Sequence, residues 1–153
     1  MSHCVALLSG GKDSVYSAIY LQKQGVSIDC LLHLEPSKQH ESENNSYMFQ
    51  TALHEAIPYL AECMNIPLIN YVFESNTSFC IEADYTITKD DEIERMYEGV
   101  CEVLKQFPQI DSICCGAIAS HYQANRLKNV FVFFFICFIL RSLNNLIILM
   151  KRS

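Results

Sequence analysis

Six residues, Ser9-Gly10-Gly11-Lys12-Asp13-Ser14, stand between an apolar run over residues 3–8 and a stretch of helical spacing over 13–24. An apolar run that stops at paired glycines and restarts with a 3.6-residue period reads as strand, loop and helix, with Gly25 as the helix C-cap. The glycines let the backbone turn tightly and bring bare N–H groups toward a ligand, and the helix adds its unsatisfied N-terminal donors. That geometry binds phosphate. Lys12 supplies a point charge, and Ser9 and Ser14 supply hydroxyls. Asp13 suits either a capping role or an indirect magnesium contact. A plain Gly-rich turn capped by Asp13 or Ser14 is the bland alternative on local chemistry.

The chain then repeats the alternation. Residues 26–34 form a near-continuous apolar run, as in a strand buried on both faces of a parallel sheet. A polar loop follows over 35–45. Apolar residues next fall at Met48, Phe49, Ala52, Leu53, Ala56, Ile57, Leu60, Ala61 and Met64, a helical stripe over 47–64 that Pro58 kinks or splits. Residues 67–73 read as a third strand, 74–88 as a long connection, 90–107 as an amphipathic helix with acids in its first turn, and 110–118 as a fourth strand. This order predicts a doubly wound, Rossmann-like α/β fold with a mostly parallel sheet. In such sheets a ligand sits beyond the carboxyl ends of the strands, where the strand order reverses, and the Ser-Gly-Gly loop lies at one such end. With 153 residues, one domain of this kind is expected.

Charge and cysteine usage narrow the partners. The formal net charge of −6 opposes the basic face that a polynucleotide needs, so no nucleic-acid partner is expected. The eight cysteines, at 4, 30, 63, 80, 101, 114, 115 and 137, include no Cys-x-x-Cys pair, and several fall inside apolar runs. They read as buried thiols in a reducing, cytoplasmic compartment, with no secretory signal and no metal site expected.

The loop fits neither common nucleotide fingerprint. Gly-x-Gly-x-x-Gly is absent, and a Walker A loop needs a glycine and a Ser or Thr where this chain has Ala6 and Asp13. Ser-Gly-Gly-Lys-Asp-Ser directly after the first strand instead resembles the PP-loop ATPases of the N-type pyrophosphatase superfamily. Three more stretches narrow the resemblance. They are Ser46-Tyr47-Met48-Phe49-Gln50-Thr51 followed by His54, then Asp91-Glu92-Ile93-Glu94 with Tyr97, and Gly116-Ala117-Ile118-Ala119-Ser120 with Tyr122, Gln123 and Arg126. In this order they are similar to the diphthine–ammonia ligase (diphthamide synthase) family over residues 1–130.

The resemblance implies a reaction: ATP adenylates the carboxylate of diphthine, a modified histidine on elongation factor 2, and ammonia displaces AMP to leave the amide. It implies ATP as co-substrate, with Mg2+, and elongation factor 2 carrying diphthine and ammonia as partners. Ser9, Gly10, Gly11, Lys12, Asp13 and Ser14 would hold the phosphates, with Lys12, Asp13 and Arg126 as catalytic candidates. Ser120, Tyr122 and Gln123 would face nucleotide or acyl substrate, and Tyr47, Gln50 and His54, three or four residues apart, would share a helix face toward diphthine. Each has a plainer reading: Tyr47 and His54 as core residues, Arg126 in a surface ion pair, Asp91 and Glu92 as a solvated helix start. Lys128 stands where the family pattern has Glu. Two other functions compete. One is another PP-loop adenylating enzyme, tRNA-modifying or sulfur-assimilating, although Cys-x-x-Cys and a basic surface are missing. The other is an inactive nucleotide-binding or membrane-tethered fragment.

After Asn129 the composition changes. Residues 130–140 are unbroken apolar and Phe-rich, and Arg141-Ser142-Leu143-Asn144-Asn145 interrupts before a second apolar run over 146–150. Residues 1–129 are therefore expected as the partial ligase domain and 130–153 as an atypical tail from a retained intron, a frameshift or a short isoform. Eleven apolar residues fall short of the ~20 that span a bilayer, and the longer stretch places Arg141 near its centre at a cost of about 2.5 to 3.5 kcal/mol. Membrane attachment is disfavoured but left open. An incomplete C-terminal part would leave the sheet with a bare edge.

Overall fold

The computed structural model describes residues 1–37, 54–73, 92–116, 135–142 and 145–152. In chain order they form β1 (His3–Leu7), α1 (Lys12–Lys23), β2 (Ser27–Pro36), a 3-10 turn (His54–Ala56), α2 (Ile57–Met64), β3 (Leu68–Phe73), α3 (Glu92–Gln106), β4 (Ser112–Cys115), β5 (Phe135–Ser142) and β6 (Asn145–Arg152). The strands make one sheet in the order β3-β2-β1-β4-β6-β5. β1 pairs in parallel with β2 and β4, and β2 with β3. β6 runs antiparallel to both β4 and β5.

Side chains alternate across a strand, and both faces of the sheet are covered at β1 and β2. From β1, Cys4 and Ala6 join Leu8, Ala18 and Leu21 of α1, and Ile57 and Ala61 of α2 in one core. Val5 and Leu7 point the other way, to Met96, Val100 and Val103 of α3. β2 divides likewise, Leu31 to the first core and Cys30, Leu32 and Leu34 to the second. A strand with two apolar faces has no polar alternate, which is why these runs read as unbroken. The doubly wound expectation is met. From β1 the chain steps outward to β2 and β3, then returns through α3 to β4 on the far side of β1, so the strand order reverses between β1 and β4.

Backbone chemistry explains where the helices stop. At the end of α1, Gly25 N–H donates to the Gln22 carbonyl at 3.0 Å and Val26 N–H to Leu21 at 3.1 Å. This is a Schellman motif in which Gly25, at φ +84°, takes the left-handed position. α2 closes in the same way, Asn65 N–H to Glu62 at 3.0 Å and Ile66 N–H to Ala61 at 3.2 Å, with Asn65 at φ 52°.

Several expectations shift. The stripe expected over 47–64 is a 3-10 turn followed by α2 in its described part, and residues 47–53 lie outside the described residues. Pro58 sits in the first turn of α2 and does not kink a longer helix, because its missing N–H is an orphan there in any case. The fourth strand is shorter than 110–118: Ile110 N–H bonds Phe107 O at 3.1 Å in a turn, and β4 begins at Ser112. The connection over 74–88 lies outside the described residues. The cysteines divide: Cys4, Cys30 and Cys114 are buried, Cys101 and Cys115 half-buried, and Cys63 exposed, all six as free thiols. Cys63 departs from the buried reading because it lies two residues beyond Ala61, about 200° round α2 from the face that Ile57 and Ala61 bury.

The tail does not leave β4 bare. Ser112 to Cys115 pair with Lys151 to Ile148, and β5 pairs with β6 from Phe135↔Arg152 to Ser142↔Asn145. The polar interruption that breaks the apolar stretch is thus where a hairpin reverses. Among the described residues no helix is long and apolar enough to cross a membrane.

Candidate functional site

The loop leaves the carboxyl end of β1 at the place where the strand order reverses. Leu8, its last apolar residue, is fixed on both sides. Its N–H donates to Leu32 O at 2.9 Å, and its carbonyl accepts from Nδ1 of the buried His33 at 2.8 Å. Ser9 N–H and Ser9 Oγ both donate to Ser14 Oγ at 3.3 Å, and Ser14 Oγ donates to Gly11 O at 2.9 Å. Ser14 is therefore the internal brace of the loop, which accounts for a hydroxyl held at 5% exposure. Ser17 continues the brace, donating to Asp13 O at 2.7 Å.

Gly10 has φ +81°, a conformation that side chains resist, and Gly11 follows as an extended N-cap at φ −76° and ψ 155°. No side chain caps α1 at this end. The first-turn amides and the positive end of the helix dipole are consequently presented at the loop, with Lys23 placed to complement the other end. Lys12 Nζ lies 2.8 and 2.9 Å from the two carboxylate oxygens of Asp13. The pair is solvent-facing, with side chains 88% and 38% exposed, so it is worth about 0 to 1 kcal/mol and yields readily to a phosphate.

The opposite wall comes from β4. A Cβ built at Gly116 would lie 2.8 Å from Asp13 C, Asp13 O and Ser14 Cα. The backbone at the end of β4 is thus pressed against the first turn of α1 with no room for a methyl group. Gly116 heads the motif that ends in Arg126, and its contact places the start of that motif against the loop.

The six loop residues are therefore brought together. His54 opens the 3-10 turn ahead of α2. Tyr47, Gln50, Ser120, Tyr122, Gln123 and Arg126 lie outside the described residues. His33 stands outside the sequence expectations, although a polar residue within an apolar strand is a visible signal, and the need for glycine at 116 emerges only from the contact with α1. The two buried thiols behind the loop are pushed away from ionisation: burial, partly offset by a hydrogen bond with Ser112, pushes the Cys4 thiol up to about 12, and burial also raises Cys114. Such thiols stay protonated and unreactive.

Residues 2–132 match the family model described as the diphthamide synthase N-terminal domain. The chain belongs to the diphthamide synthase N-terminal domain family. Curated relatives include diphthine–ammonia ligases of Saccharomyces cerevisiae, 39% identical over 126 residues, Danio rerio, 38% over 127, and Homo sapiens, 37% over 127. Each alignment covers 82% of this chain, but only 18% of the yeast protein, 49% of the zebrafish protein and 47% of the human protein. The chain thus spans about half the length of the vertebrate relatives. The family match takes in the four parallel strands and the loop, and it ends before the β5–β6 hairpin.

Proposed function

We propose that this chain carries the ATP-binding part of a diphthine–ammonia ligase and acts on the diphthine side chain of elongation factor 2. One observation carries the reading: within a diphthamide synthase domain, the Ser9–Ser14 loop joins a left-handed Gly10 to an uncapped helix N-terminus at the point of strand-order reversal. A carboxylate does not react with ammonia at neutral pH until one of its oxygens becomes a good leaving group. In the reaction the diphthine carboxylate attacks the α-phosphorus of ATP, the bond to the bridging oxygen breaks, and pyrophosphate departs. Ammonia then adds to the acyl carbon, loses a proton, and expels AMP.

The protein's part is to position the reactants and stabilise charge. The amides at the start of α1 and Ser9 Oγ hold the β- and γ-phosphates, and Lys12 leaves Asp13 to neutralise the departing pyrophosphate. From the family resemblance alone, Arg126 is assigned to the charge that develops at the α-phosphate, Ser120, Tyr122 and Gln123 to the nucleotide or acyl substrate, and Tyr47, Gln50 and His54 to diphthine. Among the described residues no group of three or more His, Cys, Asp or Glu side chains could hold a metal. A magnesium ion entering with ATP would need few protein ligands, and Asp13 would be the carboxylate of the loop available to it, the ion supplying neutralisation of phosphate charge. Acting on a cytosolic translation factor, the protein works in the cytoplasm.

The test is pyrophosphate release by the chain in the presence of ATP, magnesium, ammonium and elongation factor 2 carrying diphthine. Lys12→Ala is expected to lower release by about 10² or more, the scale of losing one charge-stabilising group, with the fold intact by circular dichroism. Release at the parent rate in that variant would remove the loop from the mechanism.

A further inference from the structure

We propose that His33 is a positioning residue for the phosphate loop, clamping through its Nδ1–H the peptide plane from which the loop departs. The Leu8 carbonyl can only accept, so at 2.8 Å the ring nitrogen facing it carries the proton. The carbonyl oxygen of Leu8 and the N–H of Ser9 belong to one planar trans peptide unit and point in opposite directions. His33 holds one end of that unit, and Ser14 Oγ, which accepts from Ser9 N–H, holds the other. The plane cannot rotate unless both bonds break, and its orientation sets the direction in which the chain enters the left-handed Gly10.

The placement follows from strand geometry. His33 lies two residues beyond Leu31, so the period of two puts it on the same face of β2, the face covered by α1 and α2. Its neighbours Leu32 and Leu34 point to the opposite core. The residue is only 4% exposed. A buried imidazole costs more than an aliphatic side chain unless it is hydrogen-bonded, and here the Nδ1–H bond falls on the last carbonyl before the loop. A donor fixed before ligand arrives lets the amides of Gly10, Gly11 and Lys12 bind phosphate without first being ordered.

Two variants of the full 153-residue chain separate this role from simple packing. His33→Leu removes the donor. His33→Asn restores one, because its side-chain nitrogen stands the same number of bonds from Cβ as Nδ1. Two readouts are needed, ATP affinity by titration calorimetry and the amide resonances of Ser9, Gly10, Gly11 and Lys12 by NMR without nucleotide. His33→Leu is expected to weaken ATP binding about tenfold, the scale of one hydrogen bond, and to shift the loop amides. His33→Asn should bind within about threefold of the parent with its loop amides in place, even where both variants lose thermal stability equally. Parent-like binding and amides in His33→Leu, or equal losses in the two variants, would overturn the clamp.

The ATP arm rests on the nucleotide reading of the loop, and the NMR arm does not. If the parent chain fails to bind ATP, that reading falls, and the clamp is then decided by the amides: shifts in the Leu variant only support it, while shifts in both or neither overturn it.

Discussion

Gly116 and Asp29 occupy opposite ends of the sheet, and each is constrained by a tertiary contact. At the loop end, the three atoms nearest a Cβ on Gly116 are all backbone, so no side-chain rotation can make room. Gly116→Ala is expected to push the first turn of α1 away from β4, costing about 1 to 3 kcal/mol in chemical denaturation and weakening ATP binding. Unchanged stability and affinity in that variant would show that the contact is loose. At the other end, Asp29 accepts from Ser27 Oγ at 2.5 Å, His3 Nδ1 at 2.8 Å and Gln109 Nε2 at 3.0 Å, joining β1, β2 and the turn after α3. Burial pushes this carboxyl up, but the three hydrogen bonds and the His3 charge outweigh it and hold it below its ordinary 3.8. A depressed folded value means that the stabilisation is complete above the unfolded value and is lost as pH falls through the folded one. The stability gap between the parent and Asp29→Asn should therefore be full near pH 6, shrink below 3.8, and close in stronger acid. Denaturant titrations across that range check it, and a gap that widens in acid contradicts it.

At the scale of elements, the ends of α1 and α2 use one device with different residues. Gly25 occupies the left-handed position of the first without strain, whereas Asn65 pays a moderate cost at φ 52° in the second. Asn65→Ala is expected to lose about 1 kcal/mol and Asn65→Gly to match or exceed the parent, read as shifts of about 2 to 4 °C per kcal/mol in thermal midpoint. Equal midpoints for all three would remove the left-handed position from the stability of α2. These two helices also show what sequence can and cannot reveal. α1 was legible because the period changes from strand to helix at Gly10-Gly11 and Gly25 marks its end, both local signals. The start of α2 was not: Ala52, Leu53 and Ala56 extend the apolar spacing upstream, so the pattern does not mark the change from the turn over His54–Ala56 to α2. The site divides along the same line. Ser9 to Ser14 could be read directly, since neighbours in sequence build the loop. The contacts of His33 and Gly116 depend on register between strands 25 and about 100 residues away, which no local pattern encodes.

For the whole molecule the question is what the β5–β6 hairpin does for a parallel sheet that the family match already encloses by residue 132. The described members of both cores lie between Cys4 and Cys115, within the family domain. The hairpin's clear contribution is to the edge: β6 satisfies the backbone groups of β4 from Ser112 to Cys115 and moves the outer edge of the described sheet to β5. An unpaired strand edge recruits other chains. A variant ending at residue 132 is therefore expected to keep the helical far-UV circular dichroism of α1 to α3 and its ATP affinity. It should associate more strongly with rising concentration than the full chain in sedimentation velocity. Association no greater than that of the full chain would mean that β4 is covered by something other than β6, or that its edge recruits no more than the β5 edge it replaces. Loss of the folded signal would instead give the hairpin a part in the core, and the two results separate an edge cover from a structural layer.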